Sequence, residues 1–344
     1  MRILIAGSGA VGTYLGGKFS LSGHEVVFLS RNKEYCDLVN HQGFSIIENG
    51  VVKQGRVSAF QAVQSLFSVC SAFDLCLLTV KGFSTRSLLL ELSPFLDKIF
   101  HFCAVQNGVG NEEILVGFVE KKKITAGSLT TACSMGSPGV VKAENRGGLA
   151  LAPLDPNQSL QQWTDLFQRA GIKIRVCKDW VGMKWSKLFL NLIGNGTCAI
   201  LEMTPQEVFL SHSGFKIERL ALVETISVME TSGIKPVLLP FQPVPLYFWG
   251  IKHLSEPVLR FLFRKKAVRG RGEKLPSLYF DLLKGKKDTE APFLYGPLVE
   301  KGKSYGISMP ALQTLYHLLR DSTAEERQIY RKNPDALYQQ ILNF

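Results

Sequence analysis

Short apolar runs alternate with segments of helical spacing along the first half of the chain. The apolar runs lie at residues 3–6, 25–29, 74–80, 100–105 and 170–176. Uninterrupted runs of this kind are typical of buried parallel strands, and the segments between them can form crossover helices. The pattern predicts an α/β domain of the Rossmann type, with a doubly wound, mostly parallel sheet.

The same half of the chain contains signals for antiparallel pairing. Residues 44–47 and 51–52 flank Glu48-Asn49-Gly50, a turn sequence that predicts a β-hairpin. From residue 124 to residue 153, short β-like runs are separated by glycines. We expect these runs to add antiparallel strands to the sheet.

Helical spacing dominates from Asp179 onward. We therefore predict two domains, with the sheet in residues 1–178 and an all-α domain in residues 179–344. Residues 236–245 contain four prolines and cannot form one regular helix. Residues 246–266 mix aromatic and basic side chains and are interrupted by Pro257. Packing within the helical domain is the expected use of such a face, and contact with a membrane surface is the alternative.

Composition restricts the classes of protein to which the chain can belong. It has 344 residues, a formal net charge of +11 and 46% hydrophobic residues, as expected of a globular protein with two cores. The basic residues are spread along the chain, which argues against a nucleic-acid-binding module and favours anionic small molecules as partners. No apolar stretch of the sequence is long enough to span a membrane.

Cysteine and histidine usage argues against disulfides and metal sites. The seven cysteines never form a CxxC pair, and the six histidines lack the spacing of metal ligands. Such usage is typical of a reduced compartment, so we expect a cytoplasmic protein without a metal. A monomer and a homodimer are both compatible with the sequence.

The segment after the first predicted strand reads Gly7-Ser8-Gly9-Ala10-Val11-Gly12 and leads into a helical pattern. In this order Gly7 permits a tight turn, Gly9 lets the backbone approach a phosphate, and Gly12 lets the helix pack on the strand. The first N–H groups of the helix would then bind the pyrophosphate of a dinucleotide. The alternative is a simple glycine turn at a buried corner, but the apolar run at residues 25–29 completes a βαβ unit.

The end of the second predicted strand bears on which dinucleotide binds. NAD sites usually have Asp or Glu here, to bind the ribose 2′-hydroxyl, whereas this chain has Ser30-Arg31-Asn32-Lys33. Hydroxyl and basic side chains would bind a 2′-phosphate, so we predict NADPH as the cofactor. In the alternative, Arg31 and Lys33 lie in a solvated turn and Glu34 or Asp37 binds the ribose.

Three polar residues recur within an apolar segment of the second predicted domain. Lys187, Asn191 and Asn195 are spaced four apart, which would align them along one face of a single helix. One cation followed by two amides is unlike an ordinary solvent-facing stripe, which usually carries several charges, although such a stripe is the alternative. A partly buried Lys can give a proton to a carbonyl oxygen, and amides can orient a substrate.

Taken together, these features resemble the ketopantoate reductase (2-dehydropantoate 2-reductase) family over nearly the full length of the chain. The resemblance implies NADPH-dependent reduction of 2-dehydropantoate to (R)-pantoate, in pantothenate and coenzyme A synthesis. The residues that carry it are the loop at 7–12, Arg31, Lys81, Gln106-Asn107-Gly108-Val109-Gly110, Lys187, Asn191, Asn195, Ser277, Asp281, Gly285, Thr289 and Glu290.

The resemblance also implies a role for individual residues. Lys187 would donate a proton to the 2-oxo group, and Glu290 would contact the nicotinamide ribose and help to order the site. The residues implied to bind substrate are Asn107, Asn191, Asn195 and Ser277. The residues implied to bind NADPH are Gly7, Ser8, Gly9, Ala10, Val11, Gly12, Arg31, Lys81, Asn107 and Glu290.

Simpler readings exist for several of these residues. Asn107 and Ser277 could cap helices, and Glu290 could be a surface carboxylate near Lys286 and Lys287. The chain also departs from the family pattern, with one residue more than usual around 286–288 and a longer segment at 236–274. A reductase of another branched 2-oxo acid and a non-catalytic NADPH-binding sensor are therefore the competing functions.

Overall fold

The computed structural model describes residues 1–144, 146–269, 275–285 and 289–343. The chain divides into two compact units, and each is described by itself. The first unit contains Met1–Lys184 and Leu238–Gln242, and the second contains Trp185–Val237 and Pro243–Phe344. The division falls inside a helix that runs from Trp180 to Leu192.

The strands of the first unit form two sheets. Their bounds are β1 Arg2–Ala6, β2 Glu25–Leu29, β3 Phe44–Glu48, β4 Val51–Gly55, β5 Ser58–Phe60, β6 Phe73–Leu78, β7 Ile99–Ala104, β8 Ile124–Leu129, β9 Cys133–Ser137, β10 Val140–Ala143, β11 Leu149–Pro153 and β12 Ile174–Val176. The order is β12-β11-β8-β7-β6-β1-β2-β5 in the larger sheet and β4-β3-β10-β9 in the smaller one.

Helices connect and cover these strands. The bounds in the first unit are α1 Ala10–Leu21, α2 Lys33–Gln42, α3 Val63–Val69, α4 Thr85–Leu92, α5 Asn111–Val116, α6 Gln161–Arg169 and the start of α7 Trp180–Leu192, with short 3₁₀ segments at Gly82–Ser84, Ser93–Lys98 and Lys121–Lys123. Ile3 and Ile5 of β1 pack in one buried cluster with Leu15 and Phe19 of α1 and Phe167 of α6.

The larger sheet confirms the predicted doubly wound architecture. Its neighbouring strands pair in parallel, except for β11, which runs antiparallel to β8. Strand β1 lies between β2 and β6. The chain therefore first adds strands on one side of β1, with β2 and β5, and later adds β6, β7, β8, β11 and β12 on the other side. In sheets of this kind, ligands bind at the carboxyl end of the strand where the direction changes.

The expectation for residues 124–153 was partly wrong. Strand β8 pairs in parallel with β7, and only β11 adds an antiparallel strand to the larger sheet. Strands β9 and β10 belong to the smaller sheet, where β10 pairs with β3. The physical reason lies in α1, whose buried residues include Gly17: a Cβ there would meet the Phe44 ring of β3 at 2.6 Å. The smaller sheet therefore covers a helix face that would otherwise be exposed.

The predicted hairpin is confirmed. Strands β3 and β4 pair antiparallel from Phe44 opposite Gly55 to Glu48 opposite Val51. Asn49 and Gly50 have φ angles of 56° and 76°. Two successive residues with positive φ match the twist of a two-residue hairpin, which explains the Asn-Gly sequence.

The described residues of the second unit form helices around an apolar core. After the end of α7, their bounds are α8 Gly196–Leu201, α9 Pro205–Leu210, α10 His212–Thr231, α11 Val244–His253, α12 Glu256–Arg269, α13 Ser277–Leu283, α14 Ala291–Leu294, α15 Gly296–Ser304, α16 Pro310–Arg320, α17 Ala324–Gln328 and α18 Pro334–Leu342. The prolines of 236–245 precede or begin α11, as their missing N–H groups require.

The amphipathic segment at 246–266 forms two helices rather than one interrupted helix. Helix α11 ends at His253, and Pro257 lies in the first turn of α12, where its ring is compatible with the helix. Ile251 and Leu259 are buried, whereas Trp249 and Phe261 are about half exposed. Across the described residues, the helices are all too short or too polar to cross a membrane.

Candidate active site

The carboxyl ends of four parallel strands lie in register at one edge of the larger sheet. Ala6 of β1 is opposite Leu29 of β2 and Leu78 of β6, and Leu78 is opposite Ala104 of β7. The loops that follow these residues therefore begin at the same edge. They contain the glycine segment, Ser30-Arg31, Thr79 to Lys81, and Gln106-Asn107.

The three glycines of the first loop have different surroundings. Gly7 has a φ of +121°, and a Cβ there would lie 2.6 Å from the Val80 backbone nitrogen. A Cβ on Gly12 would lie 2.1 Å from the Gly7 carbonyl oxygen and 2.6 Å from Thr79 Oγ1. A Cβ on Gly9 would meet no described atom within 4 Å. Gly7 and Gly12 are thus required by the fold, while Gly9 leaves space for a ligand.

Helix α1 begins at this open space without a capping side chain among the described residues. Gly9 is the N-cap, and the first turn contains no acidic residue. Ala10 and Val11 are half-buried in that turn. Because the first N–H groups of a helix have no partner within it, this end of a twelve-residue helix is suited to an anion. Ser8 Oγ lies 2.5 Å from Ser30 Oγ, so two hydroxyls border the same space.

Arg31 lies on the surface beyond the end of β2. Its Nη2 donates to Ser87 Oγ at 2.8 Å and lies 3.2 Å from Glu91 Oε1 of α4. The side chains of Arg31 and Glu91 are 60% and 49% exposed, so their ion pair contributes little to stability. Glu34 and Asp37, the alternative ribose ligands, are both exposed on α2. Lys81 is exposed after β6, just before a 3₁₀ turn.

The loop after β7 presents Asn107 at the surface. Gly110, with a φ of 100°, is the N-cap of α5, so the simpler reading that Asn107 caps this helix is wrong. The Asn107 carbonyl accepts a hydrogen bond from Asn111 Nδ2 at 3.4 Å, and Asn111 Oδ1 accepts one from Thr85 Oγ1 at 2.8 Å. Asn107 is therefore an exposed side chain on a loop whose backbone is tied to buried groups.

Lys187, Asn191 and Asn195 do not share one helix, which corrects the sequence prediction. Helix α7 ends at Leu192, Gly194 has a φ of 61°, and Asn195 is the N-cap of α8. The left-handed glycine ends the helix, as glycines commonly do. The two amides remain adjacent because Asn195 Nδ2 donates to the Asn191 carbonyl at 2.9 Å. Lys187 is half-buried, and both asparagines are buried.

Asn195 also has an unsatisfied acceptor. Its Oδ1 is buried and has no hydrogen-bond partner among the described residues. Buried polar atoms without a partner are uncommon, and each has a cost in free energy. A bound donor, such as a substrate hydroxyl, would satisfy it.

Two buried side chains accept hydrogen bonds from the backbone of the turn that contains Asn195. Glu218 Oε2 accepts a hydrogen bond from the Gly194 N–H at 3.0 Å, and Tyr295 OH accepts one from the Gly196 N–H at 3.1 Å. Burial raises the pKa of Glu218 to about 7 and also raises the pKa of Tyr295. These side chains fix the backbone on both sides of Asn195.

The two C-terminal candidates lie at helix starts. Ser277 is the first residue of α13, whose N-cap is Pro276, so the reading of Ser277 as the cap is wrong. Its side chain lies outside the described residues, as do Lys286, Lys287 and Asp288 with the predicted extra residue. Glu290 is half-buried at the N-cap of α14. Beside it, Thr289 Oγ1 accepts a hydrogen bond from the Ala291 N–H at 3.3 Å.

Sequence reasoning missed a buried ion pair next to Asn107. Lys184 Nζ lies 2.9 Å from Glu112 Oε1, and the two side chains are 2% and 1% exposed. Burial raises the pKa of Glu112, and the Lys184 ammonium opposes this shift. Two features of the sequence pointed to this pair: Lys184 lies within an apolar helical segment, and Glu112 comes just after the segment that contains Asn107. In a single sequence, neither residue can be told apart from an ordinary surface charge.

Within the described residues, no group of three or more His, Cys, Asp or Glu side chains is arranged to hold a metal ion.

Comparison with known proteins assigns both units to one family. Residues 3–156 match the family described as ketopantoate reductase PanE/ApbA, and residues 179–323 match its C-terminal part. A 2-dehydropantoate 2-reductase of Streptococcus pyogenes serotype M6 is 24% identical over 328 residues, which cover 94% of this chain and 98% of that protein. A protein of the same name from Pyrococcus horikoshii is 26% identical over 323 residues, covering 93% and 97%.

Solved structures share the fold over almost the whole chain. The ternary structure of D-mandelate dehydrogenase with NADH and anilino(oxo)acetate has a TM-score of 0.78 at 22% identity, covering 96% of this chain and 99% of that one. The 2-dehydropantoate 2-reductase of Geobacter metallireducens also has a TM-score of 0.78, at 24% identity, covering 93% and 99%.

Proposed function

Since the chain belongs to the ketopantoate reductase family, we propose that it catalyses NADPH-dependent reduction of 2-dehydropantoate to (R)-pantoate. The observation that carries this proposal is the half-buried Lys187 followed by two buried amides, Asn191 and Asn195. A protein that only senses NADPH would need the loop at Gly7 to Gly12 but would have no use for this arrangement.

The residues of the glycine loop fit a dinucleotide. The pyrophosphate would bind at the uncapped start of α1, in the space beside Gly9, with Ser8 as a further donor. Ala10, Val11 and Gly12 would contribute the first turn of the helix and its packing. The D-mandelate dehydrogenase of similar fold binds NADH, which supports a nicotinamide dinucleotide in general.

The choice of NADPH rests on the end of β2. Arg31 is exposed and paired only at the surface with Glu91 and Ser87, so it can turn towards a 2′-phosphate at small cost. Lys81 is a second exposed cation at the same sheet edge. NADH is the second candidate, with Glu34 or Asp37 as its ribose ligand.

Bound NADPH would supply a hydride to C2 of the 2-oxo acid. Negative charge then develops on the carbonyl oxygen, and Lys187 would neutralise it by donating a proton. Asn191, Asn195 and Ser277 would bind the hydroxyl and carboxylate of the substrate. Asn107 would contact the nicotinamide and the substrate, and Glu290 would contact the nicotinamide ribose.

Lys184 cannot take the place of Lys187 as proton donor. Lys184 Nζ donates to the Gln106 carbonyl at 2.7 Å and to the Gly127 carbonyl at 3.4 Å, and it forms an ion pair with Glu112 Oε1 at 2.9 Å. Its side chain is also 2% exposed. Lys187, half-buried at the next turn of α7, is the lysine of this helix that a substrate can reach.

We expect the purified protein to oxidise NADPH, followed by its absorbance, when 2-dehydropantoate is added. A panel of other branched 2-oxo acids and of aromatic ones distinguishes the competing functions. Turnover confined to another acid would replace the proposed substrate. Tight binding of NADPH without turnover of any acid would favour a sensor and contradict the proposal.

The cofactor choice gives a separate prediction. Arg31→Ala should raise the Michaelis constant for NADPH by about 10- to 150-fold, because a charge-assisted hydrogen bond contributes roughly 1.5–3 kcal/mol, and should leave the Michaelis constant for NADH unchanged. Arg2→Ala is a matched control, since it removes an exposed Arg–Glu pair with Glu25 at the opposite end of β1. Equal effects of Arg31→Ala on both cofactors would argue against 2′-phosphate recognition by Arg31.

A further inference from the structure

We propose that Lys184, together with Glu112, is a positioning pair for the reaction. The two buried side chains would fix the backbone of the Asn107 loop, defined as residues 106–111, and thereby place the Asn107 side chain. The inference rests on the proposed function, because the role of the pair depends on the contacts that Asn107 is proposed to make with the nicotinamide and the substrate. Neither Lys184 nor Glu112 would touch the substrate.

The Lys184 ammonium joins three elements of the first unit. It donates to the Gln106 carbonyl just after β7 at 2.7 Å and to the Gly127 carbonyl of β8 at 3.4 Å. It also lies 2.9 Å from Glu112 in the first turn of α5. Residue 106 begins the Asn107 loop, and α5 begins at its last residue. One cation therefore holds both ends of the loop.

The energetic cost of the pair argues that it has a role beyond stability. Both side chains are almost fully removed from water, and the desolvation of two charges can exceed their mutual attraction. An apolar pair of similar volume is often as stable or more stable. What an apolar pair cannot do is donate a hydrogen bond to the Gln106 carbonyl.

The loop needs such an anchor because its own backbone is permissive. Gly108 and Gly110 have φ angles of 84° and 100°. Glycine adopts positive φ angles about as readily as negative ones, so these two residues do not by themselves hold the loop in one conformation. Other ties of the loop include side-chain bonds: Gln106 Nε2 donates to Thr85 Oγ1 at 3.0 Å, Thr85 Oγ1 donates to Asn111 Oδ1 at 2.8 Å, and Asn111 Nδ2 donates to the Asn107 carbonyl at 3.4 Å. Lys184 supplies the direct contact to the loop backbone at Gln106.

The test replaces the pair by two apolar side chains, Lys184→Met with Glu112→Met. We expect the free energy of unfolding to stay near that of the wild type, while kcat falls by about tenfold, because small displacements of a positioned group are costly in rate. The matched control is Lys178→Met with Glu113→Met, which makes the same changes at exposed positions and should leave kcat unchanged.

A double-mutant comparison with Asn107→Ala separates positioning from general damage. If the pair acts through Asn107, the double replacement should lower kcat much less in the Asn107→Ala background than in the wild type. Equal reductions in the two backgrounds, or a wild-type kcat in the double replacement, would overturn the proposal. Should the double replacement fold poorly, Glu112→Gln, which keeps Lys184 and its bonds to both carbonyls, gives the same comparison with a smaller loss.

A second readout does not depend on turnover. Backbone amide exchange of residues 106–111 should become faster in the double replacement and not in the Lys178/Glu113 control. Unchanged exchange in the loop would contradict the anchoring role. Faster exchange in a protein that reduces no 2-oxo acid would mean that the proposed function fails while the anchoring of the loop stands.

Discussion

Replacement of Lys187 by Ala should lower kcat for 2-dehydropantoate by about 10²- to 10⁴-fold, the usual contribution of a general acid. The dissociation constant of NADPH should stay unchanged, since the proposed role of Lys187 begins only when charge develops on the substrate oxygen. Lys187→Arg should be nearly as slow, because a guanidinium keeps the charge but does not release a proton near neutral pH. Stopped-flow absorbance at saturating NADPH measures the rate, and quenching of protein fluorescence measures cofactor binding.

Lys178→Ala is the matched control for this experiment. Lys178 is exposed and lies just before α7, the helix that carries Lys187, so its loss should affect neither measurement. A Lys187→Ala variant that kept a near-normal kcat with the true substrate would exclude Lys187 as the proton donor. An active Lys187→Arg variant would instead mean that its charge matters and its proton does not.

The centre of the parallel sheet was predictable from sequence because its strands β1, β2, β6 and β7 are mostly buried on both faces. Each strand of that kind is an uninterrupted apolar run, and the observed β1, β2, β6 and β7 lie within two residues of the predicted runs. Strands β9 and β10 were misassigned because short, partly exposed strands carry no signal for the sheet that they join. Their position follows from the need to cover α1, which is a tertiary requirement.

The candidate site was predictable where the local backbone geometry requires a particular residue type. Gly7 and Gly12 are examples, since a Cβ at either would meet backbone within 2.6 Å. The end of α7 was not predicted, because the spacing of Asn191 and Asn195 fits a helix as well as it fits a turn at Gly194. The Lys184–Glu112 pair joins residues 72 positions apart, and no periodicity within either segment indicates that they meet.

Replacement of Gly9 by Ala should weaken NADPH binding by about 10- to 100-fold, corresponding to roughly 1.4–2.8 kcal/mol. The fold gives no reason for a glycine here: the φ and ψ angles of −71° and −178° suit any residue, and the new Cβ would meet no described atom within 4 Å. If the pyrophosphate lies against this backbone, the methyl group would occupy its place. Titration calorimetry measures the affinity, and thermal unfolding without cofactor should show no loss of stability.

Gly12→Ala and Gly136→Ala are the control variants for the Gly9→Ala prediction. At Gly12 the methyl group would lie 2.1 Å from the Gly7 carbonyl oxygen, so the variant should lose stability, by about 1–3 kcal/mol as overpacking usually does. At Gly136 in β9 the nearest atom would be 3.8 Å away, and neither stability nor affinity should change. Unaltered NADPH affinity in a stable Gly9→Ala variant would place the pyrophosphate elsewhere, because the open space beside Gly9 is the feature that distinguishes a binding loop from a buried turn.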